Sequence, residues 1–195
     1  RAHDVKGFWH LIKAVKLVKN KVPHVKLMII GDGDYSAYQK LAQELGIAEQ
    51  VLFTGVQMNP FALLAKADVY ALTSDSEGFP NALIEAMAVG LPCVSVNCKT
   101  GPAEILQNDY QQCAAQDKVY HADYGILTPV FYDGKNLDAS MISQEEEIFA
   151  GELVELLLNQ KLMTSYRNKA LYRANQFGVD AYVREIDRLI AQELE

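Results

Sequence analysis

The sequence predicts an α/β protein: a doubly wound parallel sheet with helices on both faces, followed by a helical carboxyl-terminal tail. Two observations carry this prediction. Short β-rich runs alternate with helical patterns as far as Thr128, and this alternation is typical of parallel strands joined by crossover helices. The runs at 27–30 and 93–96 are almost continuously apolar, as expected of strands that are buried on both faces of a sheet.

The elements follow one another in a regular order. Apolar residues recur at helical spacing from Phe8 to Val18 and predict an amphipathic first helix, which Pro23 ends. Further runs predict strands at 25–30, 51–54, 68–72, 92–96 and 125–128, and helices at 38–45, 60–67, 80–89 and 102–107. The polar stretch 108–124 shows no period and is expected to be a loop insertion.

The last part of the chain changes character. Residues from Ile142 onward contain no strand pattern and predict three helices, at 145–158, 161–174 and 180–194. We therefore divide the chain into an α/β domain over 1–141 and a helical segment over 142–195 that packs on it. The last helix carries an apolar stripe made of Tyr182, Val183, Ile186, Leu189 and Ile190. We expect this stripe to pack on its own domain rather than on a partner segment.

Composition excludes several classes of function. The 195 residues include 18 Lys and Arg against 25 Asp and Glu, and the net charge of −7 disfavours binding to nucleic acid or anionic lipid. Half of the residues are hydrophobic and 22% are charged, so neither a disordered nor a fibrous chain fits. Cys93, Cys98 and Cys113 lack a metal-ligand spacing and predict reduced thiols in a cytoplasmic protein without structural zinc.

A glycine turn follows the first predicted strand, where open α/β sheets bind ligands. Gly31 and Gly33 suggest a dinucleotide-binding turn, but Ser36 stands at the third glycine position and no acidic residue closes the next strand. A dehydrogenase is therefore disfavoured. Asp32 and Asp34 are ordinary turn residues rather than metal ligands, and we expect no metal or other cofactor.

The most informative pattern lies in segment 74–90. Glu77 and Glu85 flank the start of a helix whose first helical position is predicted at Pro80. Free N–H groups from Asn81 onward favour an anion there, and each carboxylate can accept hydrogen bonds from a pair of hydroxyls. Apolar neighbours predict that Glu85 lies in a largely buried helix, where an unpaired carboxylate is costly. The pattern predicts a ligand with a diphosphate between two polyols.

This segment resembles the Glu-x7-Glu motif of retaining, nucleotide-sugar-dependent glycosyltransferases with the two-domain GT-B fold, most closely those of family 4. Other runs resemble family motifs in the same order, namely Arg1-x4-Lys6-Gly7 and the runs 29–33, 51–55, 67–69, 90–92 and 101–105. The resemblance extends to about Pro129. It implies that residues 1–141 form a Rossmann-like nucleotide-sugar-binding domain and that the chain is the carboxyl-terminal half of a GT-B enzyme.

The resemblance also implies roles for individual residues. Arg1 and Lys6 would grip the donor diphosphate and stabilise the charge that grows on it, and Glu77 would hold the transferred sugar; these are the implied catalytic residues. Glu85 would hold the ribose hydroxyls. The remaining donor-binding positions would act largely through the backbone: Gly78 and Phe79 toward the sugar, Asn81 and Ala82 toward phosphate, Gly31 and Gly33 at the diphosphate, and Gly55 and Val56 at the base.

The implied reaction moves a hexosyl unit from a nucleotide diphosphate sugar, with a UDP-sugar as the first choice, to a saccharide or lipid-linked acceptor in polysaccharide biosynthesis. The acceptor domain of such an enzyme would precede Arg1 and is missing from this sequence, so the chain alone should bind donor without transferring it. We expect a cytoplasmic location, with any contact to the inner face of the membrane made through the missing half. Pro80 departs from the family's usual glycine and removes one N–H donor.

Two other functions stay open at this point. A nucleotide-sugar epimerase shares the fold, but it would need acid and base side chains around the sugar, and the sequence shows no such set. A non-catalytic nucleotide-sugar-binding module would use the same binding residues. Turnover by the full-length parent separates the three: an epimer formed without an acceptor indicates an epimerase, and no turnover indicates a binding module.

Overall fold

A computed structural model describes residues 4–113, 115, 117–131 and 134–193. Helices α1 to α8 span Phe8–Lys19, Ser36–Glu44, Pro60–Leu64, Asn81–Ala88, Pro102–Leu106, Gln144–Leu158, Gln160–Asn175 and Val179–Glu193. Strands β1 to β6 span Leu27–Ile29, Val51–Phe53, Tyr70–Leu72, Cys93–Val96, Tyr120–His121 and Ile126–Thr128. Strands alternate with helices up to β5, β6 follows β5 directly, and three helices come after it, so the predicted α/β class is confirmed.

The strands form two hydrogen-bonded groups instead of one continuous sheet. β1 pairs in parallel with β2, and the second group has the order β3-β4-β6-β5. β3, β4 and β6 run parallel to one another, whereas β5 is antiparallel to β6. A groove of about 900 Å³ separates the two groups and is lined by both β1 and β3.

Two apolar clusters lie on opposite faces of β4. Val94 and Val96 face a cluster built from α1, α2 and α6, while Cys93 faces a cluster built from α4, α5 and α7. Successive side chains of a strand point to opposite faces, so β4 is buried on both, as its apolar run predicts. This arrangement fixes the position of the loops that leave the carboxyl ends of β3 and β4.

Residues 108–124, predicted to be an unstructured insertion, contain regular elements. A short 3₁₀ helix spans Tyr110–Cys113, and β5 pairs with β6. The Asn97 side-chain amide donates to the Cys113 carbonyl at 2.6 Å and ties this segment to the end of β4. The pairing escaped prediction because a two-residue strand has no period of its own, and only its antiparallel neighbour reveals it.

The three carboxyl-terminal helices differ in their packing. α6 packs against α1, and α7 packs against α4. α8 does not follow them: Tyr182 is 68% exposed and Leu189 is 47% exposed. The expectation that this apolar stripe packs on its own domain is therefore not met. None of the helices within the described ranges has the length and apolar character that a membrane span requires.

Candidate functional site

Two charged side chains meet at the carboxyl end of β3. The Lys6 ammonium donates to Glu77 Oε1 at 2.6 Å, although the two residues lie 71 positions apart in sequence. The Glu77 side chain is 11% exposed and that of Lys6 is 36% exposed. Both line a small cavity of about 280 Å³ together with Ser74 and Asn81. The ion pair therefore opens into a cleft that a ligand can enter.

The backbone holds Lys6 against β3. The Thr73 hydroxyl donates to the Lys6 carbonyl at 3.1 Å, and the Asp75 N–H donates to the Val5 carbonyl at 2.9 Å. Gly7 then turns the chain into α1 with φ of 59°. An added Cβ at Gly7 would overlap the Thr73 carbonyl oxygen, so only glycine permits this close approach.

The start of α4 forms one wall of the cavity. The helix begins at Asn81, one residue later than predicted, because Pro80 adopts an extended conformation and occupies the N-cap position without a side-chain cap. Asn81 and Ala82 are exposed and line the cavity beside Glu77. The first N–H groups of a helix lack intrahelical acceptors, so this wall presents donors next to the Lys6 ammonium.

Glu85 differs from the prediction in its burial. It is exposed, although Leu83, Ala86 and Met87 around it are fully buried. These apolar neighbours face the core, and Glu85 lies on the opposite side of α4, because a helix turns about 100° per residue. Glu85 lines the larger groove together with Ala82, which borders both cavities.

Tyr70 lies near both glutamates. Burial raises the pKa of its hydroxyl, and the charges of Glu77 and Glu85 raise it further. Tyr70 also lines both cavities. Tyr70 therefore lies between the groove that Glu85 lines and the small cavity that Glu77 lines.

The predicted glycine turns lie at the carboxyl ends of β1 and β2. The Gly31 N–H donates to the Gly55 carbonyl at 3.0 Å, which brings these two predicted residues together. Gly31, Gly33 and Gly55 all have positive φ, between 67° and 144°, a conformation that favours glycine. Val56 is 70% exposed. Within the described chain, none of these residues lines the small cavity, but Ile30 does.

Gly78 and Phe79 lie in the loop between Glu77 and α4 and are exposed. The Phe79 ring packs edge-on against Phe177 at a centroid distance of 5.6 Å. The Arg173 guanidinium lies 4.8 Å from the Phe177 ring and donates to the carbonyls of Glu104 and Ile105. The carboxyl-terminal end of α7 and the adjoining Phe177 therefore pack against this loop. Arg1, the other predicted catalytic residue, lies outside the described residues.

Sequence reasoning did not single out two polar residues of the site. Ser74 is fully buried and lines the small cavity, and its hydroxyl has no hydrogen-bond partner among the described residues. The Thr100 hydroxyl lies 2.6 Å from the Glu77 carbonyl oxygen. Thr73 and Ser74 directly follow a predicted strand, and this position could have identified Ser74 as a site residue. Thr100 could not be identified in this way, because its contact with Glu77 joins distant segments and no local pattern reveals it.

A separate group of side chains has metal-ligand character. The ligand atoms of His121, Glu152 and Glu155 lie within 4.8 Å of one another, the one such group within the described ranges. His121 Nε2 lies 3.0 Å from Glu152 Oε2, and burial raises the pKa of Glu152. This group lies on β5 and α6, apart from the predicted site residues. The three free cysteines are buried.

The family of the chain follows from comparison with known proteins. Residues 1–124 match the model of the family Glycosyl transferases group 1. The chain belongs to this family. The match covers every element from Lys6 to the end of the 108–124 segment, including both glutamates. The resemblance drawn from the sequence is confirmed.

Curated relatives share this glycosyltransferase sequence over part of their length. The chain is 34% identical over 194 residues to an uncharacterized glycosyltransferase of Methanocaldococcus jannaschii, covering 97% of this chain and 48% of that protein. It is 31% identical over 168 residues to an N-acetylgalactosamine-N,N'-diacetylbacillosaminyl-diphospho-undecaprenol 4-alpha-N-acetylgalactosaminyltransferase of Campylobacter jejuni, covering 86% of this chain and 38% of that protein. The chain thus spans about half the length of these relatives or less.

Solved glycosyltransferase structures show the same fold. The pneumococcal O-GlcNAc transferase GtfA, in complex with UDP and GlcNAc, superimposes with a TM-score of 0.77 at 19% identity and covers all of this chain and 35% of its own. HepE of Anabaena, in complex with UDP and glucose, gives a TM-score of 0.72 at 22% identity over 98% of this chain and 46% of its own. At these identities the similarity shows the fold, that of GT-B glycosyltransferases.

Proposed function

We propose that this chain is the donor-binding part of a retaining glycosyltransferase that moves a hexosyl unit from a nucleotide diphosphate sugar to a saccharide or lipid-linked acceptor. A UDP-sugar is the first candidate donor. One observation carries the proposal: Lys6 and Glu77, from distant segments, meet at 2.6 Å beside the free start of α4. A cation, a carboxylate and unpaired N–H groups in one cleft match a phosphate joined to a sugar.

Lys6 would bind the diphosphate. In a chain with a net charge of −7, a cation beside helix N–H groups is the local feature that attracts an anion. When the glycosidic bond breaks, negative charge accumulates on the leaving diphosphate, and a fixed ammonium stabilises that charge more than the ground state. Donor entry would take Lys6 from Glu77 and free the carboxylate for sugar hydroxyls. Arg1 is proposed to share the contact with the diphosphate.

The remaining contacts divide between the two ends of the donor. Glu77, with the N–H groups of Gly78 and Phe79, would hold the transferred sugar. The Ser74 hydroxyl, which has no hydrogen-bond partner among the residues that the structure describes, offers one more polar contact in the same cavity. A buried hydroxyl without a partner is costly, which favours a ligand there. The exposed Glu85 carboxylate would accept from the ribose hydroxyls, with Gly33 near the diphosphate and Gly55 and Val56 at the base.

The comparisons support the donor class. The GtfA structure contains UDP and GlcNAc, and further structures of HepE contain UDP or UDP-glucose. The Campylobacter relative is named for a lipid-linked acceptor. These relatives and neighbours are all longer than this chain, so transfer is proposed for the whole protein, with the acceptor contacts supplied by the part outside this sequence.

Calorimetric titration of the 195-residue chain against UDP-glucose, UDP-galactose, UDP-GlcNAc, GDP-mannose and ADP-glucose tests the proposal directly. Lys6→Met should weaken both the tightest nucleotide sugar and its nucleoside diphosphate by roughly 10- to 100-fold, since a hydrogen bond to a charged group contributes about 1.5–3 kcal/mol. Lys40→Met, at an exposed lysine of α2, is the matched control and should change neither affinity. No binding of any nucleotide sugar by the wild-type chain would overturn the proposal.

Glu85→Ala tests the ribose contact separately. We expect affinity for the nucleoside diphosphate to fall about tenfold or more, because two hydroxyls lose a charged acceptor. Folding should be unaffected, since the side chain is exposed. Glu44→Ala, at an exposed position of α2, controls for the loss of one negative charge. Unchanged diphosphate affinity in Glu85→Ala would remove the ribose role from this residue.

A further inference from the structure

The turn that follows β4 packs against the Glu77 loop through two residues, Thr100 and Gly101. The Thr100 hydroxyl oxygen lies 2.6 Å from the Glu77 carbonyl oxygen. A Cβ added at Gly101 would come within 2.5 Å of Pro80 Cδ and 2.8 Å of the Gly78 carbonyl oxygen. Thr100 and Gly101 thus lie directly against Glu77, Gly78 and Pro80 of this loop.

Thr100 adopts an unfavourable backbone conformation to make its contact. Its φ of 66° is the one positive value at a non-glycine position within the described ranges. A β-branched residue is strained in this region, and such strain persists only where the surroundings impose it. Thr100 is exposed, so burial of its own side chain does not offset the strain. The Thr100 hydroxyl oxygen lies 2.6 Å from the Glu77 carbonyl oxygen and 2.7 Å from the Lys99 carbonyl oxygen of its own turn. Its one proton is shared between these two acceptors, and of the two only the Glu77 contact reaches another segment of the chain.

We infer that Thr100 is a positioning residue: its hydroxyl fixes the Glu77 backbone so that the Glu77 carboxylate is held at the donor sugar. The inference rests on the proposed function, because it assigns Glu77 to the sugar. The Glu77 carbonyl is bonded by Thr100 while the Glu77 carboxylate is bonded by Lys6. When the donor binds, Lys6 would turn to the diphosphate and release the Glu77 carboxylate. The Thr100 hydroxyl would then still hold the Glu77 backbone against the turn that follows β4.

Thr100→Gly separates positioning from a structural role. Glycine accepts the positive φ without strain but lacks the hydroxyl, so the melting temperature should stay the same or rise while binding of the sugar weakens. We expect affinity for the tightest nucleotide sugar of the panel to fall about tenfold, and affinity for its nucleoside diphosphate to change less than about twofold. Thr100→Ser keeps the hydroxyl and should bind like the wild type. Lys99→Gly, in the same turn, controls for added backbone freedom.

Hydrogen–deuterium exchange gives a second readout that needs no ligand. Exchange of the peptide covering 75–80 should rise in Thr100→Gly and stay unchanged in Thr100→Ser. Equal nucleotide-sugar affinity in Thr100→Gly and the wild type, or equal exchange of this peptide, would overturn the inference. If the wild-type chain binds no nucleotide sugar, the proposed function fails, and with it the assignment to the sugar; faster exchange in Thr100→Gly would then still show that Thr100 holds the loop.

Discussion

Gly7→Ala should cost the protein about 3 kcal/mol or more of unfolding free energy. Two separate effects add at this position. The φ of 59° is unfavourable for alanine, and a non-glycine residue there costs about 1–3 kcal/mol. The new Cβ would also overlap the Thr73 carbonyl oxygen, which is a backbone atom and cannot rotate away as the end of a flexible side chain could. Urea denaturation monitored by circular dichroism measures the loss.

Gly46→Ala is a matched control for this prediction. Gly46 has φ of 66° and follows α2, but no other atom lies within 4 Å of the point that an alanine Cβ would occupy there. The loss of stability in this variant should reflect the backbone conformation alone and remain near 1 kcal/mol. Equal losses of unfolding free energy in the two variants would show that the close approach of Gly7 to Thr73 adds nothing to the cost of the substitution. The difference between the two losses measures the cost of the overlap between the new Cβ and the Thr73 carbonyl oxygen.

Most of the fold was predictable from local pattern. The alternation of strands and helices sets the α/β class, and α1 and α6 begin and end within a residue or so of their predicted bounds. Predictions were weaker where an element depends on a distant partner. β5 is a strand because it pairs with β6. The sequence also does not specify which strands are neighbours, so it could not predict that the strands divide into two hydrogen-bonded groups.

The residues of the candidate site were likewise predictable from local motifs, except where their environment depends on distant parts of the chain. Five residues that line the small cavity were selected from motifs, namely Lys6, Glu77, Phe79, Asn81 and Ala82. The burial of Glu85 was predicted wrongly, because the apolar residues around it indicate a buried helix without indicating which face is turned outward. Thr100 was missed because its contact with Glu77 joins segments 23 positions apart. The proposed roles of these residues remain predictions until binding is measured.

Glu146→Ala should destabilise the protein by about 3–5 kcal/mol, the usual cost of breaking a buried ion pair by removing one partner. Glu146 lies in the first turn of α6 and faces α1, where its Oε1 lies 2.7 Å from His10 Nδ1 and 3.8 Å from Lys13 Nζ. Its other oxygen accepts from the Ser143 N–H at 2.9 Å and completes a capping box. All three charged or ionisable side chains are 2% exposed. Thermal unfolding should therefore occur roughly 10 °C lower.

The large cost follows from what Glu146→Ala leaves behind. Lys13 would keep a buried ammonium without the Glu146 carboxylate, at the interface between α1 and α6. Glu147→Ala, at the next position, removes an exposed carboxylate from the same first turn and should cost only a few tenths of a kcal/mol. A double variant, Lys13→Met with Glu146→Leu, should recover much of the stability, since well-packed apolar residues can replace a buried pair. If the double variant is no more stable than Glu146→Ala, the loss arises from the helix cap and the packing at that position rather than from the stranded charge.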